Sequence, residues 1–187
     1  MVLSIGLWIL MGLVALIIIV FLYYFNRFAT LGNRIENSLS QIDVQLKRRA
    51  DLIPNLVETV KGYVKHEKTA IKAVTDARKV LMGATDITDK VKADKGLEKA
   101  LKTIFALAEA YPDLKANTTF IELQKELSST EDKIAYSRQY YNDSIFSYNN
   151  LCRTFPGNFF GKLYGKKEQK YLEIKEKERE VVKVDLD

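Results

Sequence analysis

The chain has 187 residues and a formal net charge of +5, with one cysteine and one histidine. A single cysteine excludes an intramolecular disulfide framework, and the His66–Glu67 pair lacks the second histidine that a zinc motif of this type requires. The small positive excess is distributed among acidic residues, which argues against a nucleic-acid partner. We predict no metal site, no cofactor and no small-molecule substrate.

The N-terminal segment is apolar enough to enter a membrane. No Asp, Glu, Lys or Arg precedes Arg27, and the residues from Val2 to Phe25 are almost entirely aliphatic or aromatic. A helix rising about 1.5 Å per residue needs roughly 20 such residues to cross a hydrocarbon core. Residues 1–26 are therefore predicted to be a transmembrane anchor that contacts lipid through residues 2–25, with Tyr23 and Tyr24 at the interface.

A cleaved signal peptide is the rival interpretation of this segment. It requires a basic stretch, a shorter apolar core and a small-residue cleavage site, and the sequence has none of these features. The basic residues Arg27, Arg34 and Lys47 closely follow the span, and such residues remain on the cytoplasmic side. We predict a single-pass protein of the cell (plasma or inner) membrane, with its N-terminus outside and its soluble domain in the cytoplasm.

The first soluble repeat predicts a long helix. Apolar residues recur at alternating spacings of three and four from Ile35 to Leu81, interrupted by the polar Arg49 and Glu67. Pro54 lies within this register without shifting it, which leaves two alternatives: a kinked continuous helix, or two helices that meet near Pro54. The stretch from Gly83 to Gly96 loses the periodicity and is predicted to be a polar connection at which the chain turns back.

Two further helices follow in the prediction. A short one carries Leu97, Leu101 and Ile104 on one face and ends before Pro112. A second long one starts after Asn117, a predicted N-cap, and ends near Pro156 and Gly157. Its seam residues lie seven apart, with small polar residues at the intervening positions: Phe120, Leu127, Ile134, Tyr141, Tyr148 and Phe155, alternating with Thr130, Ser137 and Ser144.

These elements predict an all-α fold in which the transmembrane helix continues into an elongated, antiparallel, four-helix-like coiled-coil bundle over residues 27–158. Residues 159–187 form an aromatic docking segment and a charged tail. Two alternatives exist for Phe159, Phe160, Leu163 and Tyr164: they dock on the bundle, or they touch the bilayer together with Lys162, Lys166 and Lys167. The final residues 181–187 are expected to be extended or disordered.

Several sequence elements resemble the LemA family of bacterial membrane proteins. They are DLIPNLV at Asp51–Val57, TDAR at Thr75–Arg78, and the pattern YN-x₅-YN-x₄-FP-x-N from Tyr141 to Asn158. The resemblance covers nearly the whole chain. It implies a single-pass protein with an outside N-terminus and a cytoplasmic helical bundle, in a family without an established molecular activity or catalytic residues.

Two individual residues carry open alternatives. A buried Arg49 requires a carboxylate, for which Glu131 or Asp132 is available on the last long helix, whereas a surface Arg49 would extend to solvent. Cys152 could act as a nucleophile only with His66 as its base, and a buried, inert thiol is the commoner role. We predict no enzymatic activity.

Two functional hypotheses remain. The first is a membrane-anchored scaffold or adaptor that presents a helical face, near Asn55, Lys61, Tyr136 and Tyr140, to a protein partner or to a second copy of itself. The second is a peripheral membrane or envelope sensor that uses the basic and aromatic C-terminal segment.

Overall fold

The computed structural model describes residues 2–64 and 67–172, and in these residues it contains six helices and no strand. The predicted all-α class is confirmed. The helices are α1 (Val2–Tyr63), α2 (Lys68–Gly83), α3 (Ile87–Ala108), α4 (Pro112–Lys115), α5 (Thr118–Arg153) and α6 (Gly157–Leu163).

The apolar N-terminal run is the first part of α1, so this run and the first soluble helix are one element, as the sequence predicted. The run has a mean hydropathy of 3.0, and none of this apolar window is buried. An exposed helical surface of this length and composition can cross a membrane. In a bilayer, lipid would surround these exposed apolar side chains.

The alternative of a helix divided at Pro54 is wrong, because α1 continues through Pro54 to Tyr63. α1 ends instead at Tyr63, and α2 begins at Lys68. The hydrophobic repeat did not reveal this change of helix because Ile71, Val74 and Leu81 on α2 are buried with the same spacing as the α1 residues before them. Two successive helices that bury the same kind of face give an uninterrupted pattern.

The predicted polar connection over Gly83–Gly96 is also wrong for most of its length. α3 begins at Ile87, and Asp86 caps it by accepting a hydrogen bond from the Thr88 backbone N–H at 2.7 Å. The periodicity was hidden because one of the buried positions of this helix is an aspartate, Asp94.

The seam of α5 is close to the prediction. Asn117 caps the helix by accepting from the Phe120 N–H at 2.9 Å. The predicted seam residues from Phe120 to Tyr148 are buried, and the small polar residues Thr130, Ser137 and Ser144 between them are buried as well. Phe155 is different: it follows the end of α5 and is 85% exposed.

The chain divides into two compact units. One, here called the terminal unit, comprises Met1–Ile35 and Tyr141–Asp187, and the other, the central unit, comprises Glu36–Tyr140. α1 and α5 each contribute residues to both units. Residues 173–187, which include the segment 181–187 predicted to be extended, lie outside the described residues.

Candidate functional site

The central unit buries an arginine between two carboxylates. Arg49 on α1 is 2% exposed, and its Nη1 donates to Asp94 Oδ1 on α3 at 2.9 Å. Its Nη2 donates to Glu131 Oε2 on α5 at 3.2 Å. Burial raises the pKa of the Asp94 carboxyl, and the positive charge of Arg49 offsets part of this shift. The three side chains connect three helices through charged hydrogen bonds.

The prediction that Arg49 contacts Glu131 is confirmed, and the alternative of a solvent-extended Arg49 is wrong. Asp132 is exposed and lines a surface groove with Tyr136. The sequence analysis missed Asp94, the more deeply buried partner. The available signal was its position at helical spacing between the apolar Val91 and Leu97, where an acidic residue is expected only if it has a buried partner.

Two of the sequence motifs meet in the central unit. Pro54 of DLIPNLV has no N–H, so the carbonyl of Ala50, four residues earlier, lacks its helical hydrogen-bond donor. Arg78 of TDAR supplies the missing donor from α2, since its Nε donates to the Ala50 carbonyl at 2.8 Å. The arginine thus satisfies the backbone group that the proline leaves unpaired, which explains how α1 tolerates Pro54.

The terminal unit contains an aromatic cluster where the apolar run ends. Phe160 on α6 stacks on Tyr24 with ring centroids 4.6 Å apart, and Tyr164 lies edge-on to Phe21 at 5.1 Å and to Phe25 at 5.6 Å. The Tyr164 hydroxyl also donates to the Phe21 carbonyl at 2.7 Å. The sequence analysis placed the docking of these aromatics on the bundle; the two rings dock instead on Phe21, Tyr24 and Phe25 at the end of the apolar run, which was assigned to the anchor.

The YN repeat of the C-terminal motif holds an extended segment of the chain. The side-chain amide of Asn149 bonds both backbone groups of Gln169, donating to its carbonyl at 2.9 Å and accepting from its N–H at 2.8 Å. Asn142, seven residues earlier on α5, makes the same two bonds with Leu172 at 3.3 and 3.0 Å. The seven-residue spacing places both amides on one face of the helix, where they hold the segment that follows α6.

The two residues considered for chemistry have different outcomes. Cys152 is half-buried, and burial raises the pKa of its thiol, which disfavours the thiolate that a nucleophile requires. His66 lies outside the described residues. Within residues 2–64 and 67–172, no group of three or more His, Cys, Asp or Glu side chains is placed to hold a metal ion.

The residues predicted to mark a partner face are exposed, but the structure does not bring them together in one groove. Asn55, Lys61 and Tyr136 line three different grooves, and Tyr140 lies on the surface. One groove, of about 660 Å³ along α1 and α2, is here called the lysine groove. Val64 and Ile71 lie among its lining residues, and its charged residues are mainly basic: Lys61, Lys68, Lys72 and Lys79, with Asp76.

The fold and these sites define a membrane-associated all-α protein, in which one helix of the described part of the chain is long and apolar enough to span a bilayer. The LemA family model matches residues 38–186, and the chain belongs to this family. The resemblance noted from the motifs is confirmed.

Similar proteins come from several bacteria. Protein LemA of Metamycoplasma hominis is 28% identical over 127 residues, which cover 67% of this chain and 58% of that protein. Magnetosome protein MamQ of Magnetospirillum gryphiswaldense is 25% identical over 191 residues, covering 88% of this chain and 70% of that protein. Magnetosome protein MamQ 2 of Paramagnetospirillum magneticum is 24% identical over 177 residues, 81% of this chain and 65% of that protein. The aligned region is thus little more than half of the M. hominis relative.

Proposed function

We propose that this protein is a membrane-anchored, non-catalytic scaffold that presents the central unit to a protein partner at the cytoplasmic face of the cell membrane. The observation that carries the proposal is that α1 contains both an exposed apolar run and core residues of the central unit. α1 therefore carries both an apolar surface suited to lipid and the arginine, Arg49, that forms ion pairs with α3 and α5.

The cytoplasmic orientation is supported by the basic residues that follow the apolar run. Arg27 and Arg34 lie within about three turns of its end, where positive charge favours retention on the cytoplasmic side. The test is labelling of introduced cysteines by an impermeant maleimide, in a Cys152→Ser chain. Tyr136→Cys should react only after the cells are permeabilised, and Val2→Cys should react in intact cells. Labelling of Tyr136→Cys in intact cells would contradict the orientation.

The lysine groove is the surface that we assign to the partner. Its lysines are exposed and outnumber its single aspartate, so its charge is complementary to an acidic protein segment. Val64 and Ile71 also line the groove, but both are buried, so its exposed surface is formed mainly by the lysines. The exposed lysines favour a protein ligand that carries acidic side chains.

Crosslinking in intact membranes tests this assignment. The Lys61→Glu/Lys72→Glu double variant should lose the principal crosslinked partner, since the groove would then repel acidic side chains. Lys99→Glu/Lys125→Glu is the matched control, because it makes the same charge change at exposed lysines that do not line this groove. The same partners recovered from both variants would refute the groove as the binding surface.

A second candidate function is a peripheral sensor of the membrane or envelope. Phe159 and Leu163 favour it, because they are exposed beside Lys162 at the C-terminal segment. A sensor must change its output with the state of the bilayer. The crosslinked partners should therefore change when the anionic lipid content of the membrane is altered, and a partner list that does not depend on lipid composition would argue against sensing.

A further inference from the structure

We infer that α6 and the turn before it form a second membrane contact, which lies in the headgroup layer beside the span and binds anionic lipid. This inference rests on insertion of the apolar run and does not depend on the scaffold role. It joins the two sequence alternatives for the C-terminal aromatics, since one face of α6 docks on α1 while the opposite face meets lipid.

The depth of α6 follows from its contacts with α1. Phe21 lies about 6 Å along the helix axis inside Phe25, the last apolar residue before the first charge at Arg27. Tyr164 contacts both Phe21 and Phe25, and its hydroxyl bonds the Phe21 carbonyl at 2.7 Å. When the span crosses a bilayer, α6 is therefore held at the level of its final turn, where the hydrocarbon meets the headgroups.

Close packing holds α6 in this position. A methyl group added at Gly161 would lie 3.1 Å from the Phe28 ring, so the glycine permits a close approach of α6 to α1. After α6, Asn149 binds the backbone of Gln169, and Arg153 Nε donates to Glu168 Oε1 at 3.0 Å. The close approach at Gly161 holds α6 itself against α1, and the bond from Arg153 to Glu168 joins the residues before α6 to those after it.

The outer surface of this region is apolar. Phe159 and Leu163 lie one turn apart on α6 and are 62% and 57% exposed, and Phe155 in the preceding turn is 85% exposed. The rings that pack on α1 are Phe160 of α6 and Tyr164, which directly follows α6. An exposed apolar stripe beside a membrane span has lipid as its natural neighbour, because the span is itself surrounded by lipid.

The charge around the stripe selects the class of lipid. Lys162, Lys166 and Lys167 are exposed. Residues 151–172 contain five basic residues, Arg153 and four lysines, and one acidic residue, Glu168. Apolar residues next to lysines are typical of segments that lie in the interface of anionic bilayers. Anionic phospholipid headgroups are thus the ligand that this surface fits.

Depth-dependent fluorescence quenching tests the inference in the full chain. Trp8→Phe removes the native tryptophan, and Phe159→Trp or Leu163→Trp then reports on the outer face in vesicles of phosphatidylcholine and phosphatidylglycerol. Tyr136→Trp is the matched control, because Tyr136 is 68% exposed and belongs to the central unit. Circular dichroism verifies that the variants keep the same helix content.

We expect lipids brominated near the headgroup to quench both α6 reporters at least about twofold more than the control. Reversing the charges with Lys162→Glu, Lys166→Glu and Lys167→Glu should reduce this quenching in anionic vesicles and leave it unchanged in neutral ones. Equal effects of charge reversal in both vesicle types would overturn the assignment to anionic headgroups. Quenching at the control level in every vesicle would overturn the membrane contact, as would crosslinks between Phe159→Cys chains showing that a second copy covers the stripe.

Discussion

Arg49 belongs to a group of buried charges whose partners determine the geometry of the helices around them. Moving a guanidinium and a carboxylate out of water costs several kcal/mol for each ion, and the attraction between them offsets this cost only with good hydrogen-bond geometry. The bonds from Arg49 to Asp94 and Glu131 meet that condition for Nη1 and Nη2, whereas the buried Nε of Arg49 has no hydrogen-bond partner. The network therefore contributes more to specifying one arrangement of α1, α3 and α5 than to net stability.

Removing one member of this network should be costly. Arg49→Met leaves Asp94 buried without its partner, and we expect the free energy of unfolding to fall by about 3–5 kcal/mol. Adding Asp94→Leu should recover most of the loss, because the unpaired carboxylate is then absent. The measurement is urea unfolding of the full chain in detergent, followed by circular dichroism. Arg48→Met, which removes the exposed pair with Glu126, serves as the control and should cost no more than about 1 kcal/mol.

A charge swap tests which carboxylate dominates. Arg49→Glu with Glu131→Arg would restore stability if Glu131 were the principal partner. We expect no restoration, because the new glutamate would face the buried Asp94, which approaches closer to residue 49 than Glu131 does. Recovery of wild-type stability by this pair would contradict the central place given to Asp94.

The cap of α3 gives a pH-dependent prediction. The hydrogen bond from the Thr88 N–H holds the pKa of Asp86 below its ordinary value of 3.8. Since the folded state favours the charged form, this stabilisation is present above pH 3.8 and is lost as the pH falls through the lower folded pKa. Asp86→Asn keeps the acceptor without titrating. The stability of the natural chain relative to Asp86→Asn should therefore decline below about pH 4 and stay constant above about pH 5, as measured by urea unfolding across this range.

At the scale of elements, α1 depends on a contact from outside the helix. Pro54 removes a hydrogen bond from the helix interior, and Arg78 on α2 replaces the donor for the Ala50 carbonyl. A long helix can therefore continue through a proline where a neighbouring side chain donates a hydrogen bond to the carbonyl that the proline leaves unpaired. α2, which begins at Lys68, lies close enough to α1 for Arg78 to reach that carbonyl.

A double-mutant cycle measures this dependence. In the natural chain, Arg78→Met should lower the free energy of unfolding by about 1.5–3 kcal/mol. The Ala50 carbonyl already lacks its helical donor, and this substitution also removes its hydrogen bond from the arginine. In a Pro54→Ala chain the residue 54 N–H can bond the same carbonyl, so the cost of Arg78→Met should be clearly smaller. The readout is again the free energy of unfolding, and equal costs in the two chains would exclude the compensation.

The helices show how far sequence patterns reach. The seam of α5 was predictable to the residue from Phe120 to Tyr148, because a seven-residue repeat of large side chains has few structural interpretations. The start of α3 was not, because Asp94 occupies a buried position and only its pairing with Arg49, 45 residues earlier, makes that burial favourable. The hydrophobic pattern of α3 alone does not reveal that α1 supplies a positive charge to one of its buried positions.

At the scale of the whole molecule, the apolar run has two roles. It is apolar and exposed over a length that can cross a membrane, and its last turns provide Phe21, Tyr24 and Phe25 as the surface on which α6 docks. The apolar run is therefore also part of the terminal unit. Its removal should affect more than attachment to the membrane.

A chain that starts at Asn26 tests both roles. It should appear in the supernatant after alkaline extraction of membranes, whereas the full chain stays in the pellet. Hydrogen exchange at residues 157–163 should accelerate in the shortened chain, because α6 has lost its docking rings. Exchange around Arg49 and Asp94 should be unchanged, since their contacts lie within the central unit. Equal protection of residues 157–163 in both chains would refute the docking role of the span.

The sequence by itself determined the apolar run able to span a membrane, the all-α class and the seam of α5, because each depends on the local spacing of apolar side chains along one helix. Its motifs determined the family. Only the tertiary structure decided the division of the first repeat into α1 and α2, the pairing of Arg49 with Asp94, the bond from Arg78 to Ala50 and the docking of α6 on Phe21. The last three join groups distant in the chain, and their free energies depend on burial and hydrogen-bond geometry that arise only when the helices are assembled.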